Sequence, residues 1–145
     1  MRSVKNYLLT IFFVCSIVGN AQEPEGLKIN DADTIDLYVI NSSTRFISLP
    51  DEGNTKYSFF YRDLKYLNII RELKFQSGSD VERFFNTCDK ALETDKTFIT
   101  QGYNVSRNRL SKNILRLNNK EGGYFLLKSA SLEKMKSTFQ KSKEK

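Results

Sequence analysis

The chain has 145 residues, 23 Lys and Arg against 17 Asp and Glu, a formal charge of +6, and no histidine. Without histidine neither Ser-His-Asp nor Cys-His catalysis can be assembled, because the usual general base is missing. Only two cysteines occur, Cys15 and Cys88, so a zinc site of Cys/His type is excluded as well.

The first element is a targeting pattern. Arg2 and Lys5 give a positive start, and Leu8 to Gly19 is an uncharged run of twelve residues. A membrane-spanning helix needs roughly 20 apolar residues, so this run is short. Gly19-Asn20-Ala21 follows with small residues at both positions that signal peptidase reads. The pattern predicts a cleaved secretory signal peptide over 1–21, a mature start at Gln22, and a secreted or periplasmic protein that does not span the membrane. Cys15 follows Val14 rather than a small residue, so it belongs to the apolar run and not to a lipid-attachment site.

Residues 22–145 predict a single α+β domain with no linker or repeat. A chain of this size buries about two-thirds of its unfolded surface. Cys88 is then the lone thiol, and no disulfide can form within the chain. "NDADTID" gathers Asp31, Asp33 and Asp36, but Ile35 and Asp36 stand where a calcium loop needs its third ligand and its glycine. It reads as a polar turn before a strand.

Strands are expected at 34–40, where Ile35, Leu37 and Val39 alternate with Asp36 and Tyr38, at 44–49 ending before Pro50, and at 56–62. In the third, Tyr57, Phe59 and Tyr61 share one face and Phe60 takes the other. Residues 63–67 suggest a helical turn running into a strand that ends near Gln76. A helix is expected over about 79–93, with Ser79 and Glu82 as a capping box and Val81, Phe84, Phe85, Cys88 and Leu92 as its apolar stripe. Cys88 inside that stripe reads as a core thiol.

Three more strands follow, at 98–105, 113–119 and 124–130, the last two joined by Lys120-Glu121-Gly122-Gly123. A second helix is expected over about 131–142, capped by Ser131, with Leu132, Met135 and Phe139 facing inward. The order predicts a mainly antiparallel sheet of five to seven strands with two amphipathic helices packed on one face.

Two surfaces stand out as candidate sites. Several strands carry apolar residues on both faces, most clearly Tyr57, Phe59, Phe60 and Tyr61, so the second face needs a cover. That cover is another part of the chain, a protein partner, a second copy or a ligand. The other surface is basic. Residues 22–100 hold ten Lys/Arg against fourteen Asp/Glu, whereas 101–145 hold eleven against three. Arg107, Arg109 and Lys112 cluster in what reads as one inter-strand loop, a fitting place for an acidic polymer.

The function expected is therefore a small exported, non-enzymatic binding or interaction module, working through the apolar sheet face. The alternative is a polyanion binder for an acidic glycan, a lipid head group or nucleic acid through Arg107, Arg109 and Lys112. A third class, a hydrolase using Asp36, Asp63 or Glu72, lacks any spacing that brings two carboxylates together. No catalytic residue, metal ligand or cofactor is assigned.

Overall fold

The computed structural model describes residues 34–144. The expected signal peptide, Cys15, and Asp31 and Asp33 of the polar turn lie outside the described residues. The chain is α+β, built as eight strands and two helices: β1 (Ile35–Asn41), β2 (Thr44–Asp51), β3 (Asn54–Arg62), β4 (Ile70–Phe75), α1 (Gly78–Glu93), β5 (Phe98–Thr100), β6 (Tyr103–Asn108), β7 (Ser111–Asn118), β8 (Tyr124–Lys128) and α2 (Ser129–Lys143). They form two antiparallel four-stranded sheets, β1-β2-β3-β4 and β5-β6-β7-β8, rather than one sheet of five to seven strands.

The split has a local cause. Residues 98–105 alternate as one strand would, yet Gln101 and Gly102 both take positive φ, 49° and 77°. Two consecutive positive φ values make a tight hairpin turn, so the stretch folds back as β5 and β6. The extra hairpin completes a second sheet on the far side of α1.

The helices lie between the sheets, not on one outer face. At one end the sheets touch directly: Phe125 of β8 packs 5.1 Å from Tyr61 and 5.6 Å from Phe59, ring centre to ring centre. At the other end the helices fill the gap, with Phe139 of α2 5.2 Å from Tyr57 and Phe84 of α1 5.3 Å from Phe75. The inner faces of both sheets and the stripes of both helices thus make one core. Ile47 and Phe60, on the opposite face of the first sheet, are buried too.

Element ends also shift. The cap of α1 is Ser77, whose hydroxyl accepts from the Asp80 amide at 3.3 Å, while the Asp80 carboxylate accepts from the Gln76 amide at 3.2 Å. This cap stands two residues before the expected Ser79/Glu82 pair, and the Asp80 carboxylate holds the amide preceding the cap rather than the cap's own. α2 starts at Ser129 with no side-chain cap, so Ser131 lies inside it and β8 stops at Lys128. Residues 63–69 form a loop with a turn at Leu67–Asn68 in place of the expected helical turn.

Cys88 is fully buried on α1, and burial pushes its thiol well above the ordinary range. Thiol reagents should leave it unlabelled in the folded protein, and labelling at the unfolded rate would contradict this placement. Cys88→Ser should destabilise by about 1–3 kcal/mol in urea unfolding, because it buries a hydroxyl among apolar groups.

Candidate functional site

The basic cluster is not a loop but a hairpin. β6 runs on to Asn108 and β7 begins at Ser111, leaving Arg109 and Leu110 as the tip. Asn108 fixes that tip by accepting from the Leu110 amide at 2.8 Å. Leu110 is 97% exposed.

Strand alternation then sorts the cations. Arg107 shares the inner face with Leu115 and Leu127, beside the end of α1. Its guanidinium donates to the Leu92 carbonyl at 3.3 Å and pairs with Asp95. It therefore holds the helix end, where a cation complements the negative helix terminus. Arg116 lies on the outer face, opposite Ser106. Its guanidinium stacks 4.1 Å from the centre of the Tyr124 ring, and its Nε donates to the Asn118 side chain at 2.9 Å. That stack pre-orients a planar donor fork.

These groups border a groove of about 760 Å³ along β6 and the hairpin tip. Arg107, Arg109 and Arg116 line it with Ser106, Asn108 and Asn118. Its one carboxylate, Asp95, is the partner of Arg107. Arg109 is exposed and has no ion-pair partner among the described residues. Lys112 is exposed on β7 and does not line the groove. The structure thus keeps Arg107 and Arg109 together, removes Lys112, and adds Arg116 with its amide and hydroxyl neighbours. A signal for Arg116 existed: Leu115 and Leu117 point inward, so 114, 116 and 118 must point out.

The apolar candidates fare differently. Tyr57, Phe59, Phe60 and Tyr61 are all buried, at 7, 1, 5 and 1% exposure, so they belong to the interior and present no surface to a partner. The carboxylates weighed for hydrolysis are each held separately. Asp36 takes a two-pronged bond from Arg45 at 2.7 and 2.9 Å, and Glu72 accepts from Ser58 at 2.8 Å. Asp63 is fully buried at the end of β3 and accepts from Arg71, 3.2 Å away. Among the described residues, no group of three or more His, Cys, Asp or Glu could hold a metal ion, and no helix is long and apolar enough to cross a membrane.

Fold and groove together define a two-sheet α+β domain with an arginine-lined surface groove. No protein-family model matches the chain, and no curated protein or solved structure matches it.

Proposed function

We propose that the protein is an exported, non-enzymatic binding module that holds an acidic glycan in the groove at the β6–β7 hairpin. The observation that carries this reading is the pairing of two exposed guanidinium groups, Arg109 and Arg116, with the side chains of Ser106, Asn108 and Asn118 in one groove. Arginine forks suit sulfate and carboxylate groups, and amide and hydroxyl side chains suit sugar hydroxyls. The single groove carboxylate is already engaged by Arg107, so it opposes an anion little.

The test is retention on immobilised heparin and its salt dependence. Arg109→Glu/Arg116→Glu should weaken binding about a hundredfold, since each charge-assisted hydrogen bond contributes about 1.5–3 kcal/mol. Thermal stability should change little, because both arginines are exposed and surface charges contribute little to folding. Unchanged retention in the double variant would overturn the assignment. Arg107→Glu should instead lower stability, because it turns the Leu92 and Asp95 contacts into repulsions.

A further inference from the structure

We propose that the β3–β4 loop, residues 63–69, docks the domain on an anionic lipid bilayer. Four apolar side chains crowd this short loop and all stand exposed: Leu64, Tyr66, Leu67 and Ile69, at 38, 39, 60 and 41%. The loop is nevertheless tightly held. Asp63 donates its amide to the Ile69 carbonyl at 2.9 Å, Ile69 donates to Tyr66 at 2.8 Å, and Leu64 donates to Tyr124 of β8 at 2.8 Å. The fold thus fixes an apolar tip in place, and little further ordering remains to be done on binding.

Charge selects the occupant. Arg62 and Lys65 flank the tip, both exposed and without an ion-pair partner among the described residues. Lys65 sits 5.0 Å over the Tyr66 ring and beside Gly122 of the β7–β8 turn. Lys120 extends from that same turn and lies against Gly102. The carboxylates at this end, Asp63 and Glu121, are both bound by Arg71. An apolar tip with a tyrosine, ringed by cations, matches acyl chains below anionic headgroups. The arginine groove reaches Asn118, at the same end of β7 as the β7–β8 turn, but none of residues 63–69 lines it. The inference does not depend on the groove, because it is argued from the loop's own side chains.

The chain contains no tryptophan, so Leu67→Trp gives an unambiguous reporter. In the protein recovered after export, its emission should shift to the blue on adding vesicles of phosphatidylcholine with phosphatidylglycerol, and shift less with phosphatidylcholine alone. Leu67→Ser/Ile69→Ser should partition about tenfold or more weakly than the unmodified chain. Ile99→Ser, a change to an exposed apolar residue on the other sheet, should partition normally. No blue shift, equal shifts on both vesicle types, or equal loss in the Ile99 variant would overturn the proposal. A loop made for a protein partner would give the first of these results.

Discussion

Asp63→Ala should remove about 3–5 kcal/mol of stability, because it takes away the acceptor shared by three backbone amides, Arg71 and Asn119, and an unmet buried donor costs about 1–3 kcal/mol. Small domains hold about 5–15 kcal/mol in all, so the variant should sit close to unfolding at room temperature. The carboxylate is fully buried and accepts five hydrogen bonds. Oδ1 takes the amides of Lys65, Tyr66 and Tyr124 at 2.9, 3.2 and 3.3 Å. Oδ2 takes Arg71 at 3.2 Å and the Asn119 amide at 3.3 Å. It thereby ties the end of β3 to the β7–β8 turn of the other sheet, just where the sheets meet. The site is so tight that a Cβ at Gly123 would fall 1.8 Å from Oδ2. Urea unfolding measures the loss as a lower midpoint.

The same residue sets a pH dependence. Burial raises the Asp63 pKa, but the amides of Lys65, Tyr66 and Tyr124 and the Arg71 bond outweigh it and hold the group below the ordinary carboxylate range. A lowered folded pKa means its contribution is complete above the unfolded value, about 3.9, and is lost as pH falls through the folded one. The unmodified protein should therefore lose stability below about pH 4. Asp63→Asn should start lower at neutral pH and fall less steeply in acid. A parallel acid limb in the variant would show that other carboxylates govern it.

Phe139→Ala should cost about 3–5 kcal/mol, as deletion of a buried ring does. Phe139 is fully buried, with ring centres of Tyr57, Phe85 and Phe46 at 5.2, 5.8 and 6.4 Å, and its edge faces Gly78 at the start of α1. It joins the first sheet to both helices. α2 has no side-chain cap and buries only Leu132, Met135 and Phe139. Short helices are marginal in water and depend on packing, so the loss should fall largely on α2. Weaker helical circular dichroism in the folded variant, with a lower midpoint, is the expected result. A loss under 1 kcal/mol would mean the cavity collapses without consequence.

The local pattern of this chain determined most of its elements. Val81, Phe84, Phe85 and Cys88 recur at helical spacing because one face must be apolar for α1 to pack, and that face is the buried one. Alternation located β1, β3, β7 and β8 within a few residues, because side-chain direction along a strand depends only on position. Alternation cannot say which strands share a sheet. Residues 98–105 alternate as one strand, and a backbone conformation at Gln101 and Gly102 breaks them.

The sites depended on contacts distant in sequence. Arg107 resembled Arg109 as a loop cation until Leu92 and Asp95 arrived beside it from the end of α1. Arg116 joined the groove only when pairing with β6 placed it opposite Ser106. Asp63 was one carboxylate among several until a turn 56 residues away brought Asn119 to it. Periodicity records which way a side chain points from its own backbone. What it meets there, and so whether a charge is free to bind or bound in the structure, is set by segments far along the chain.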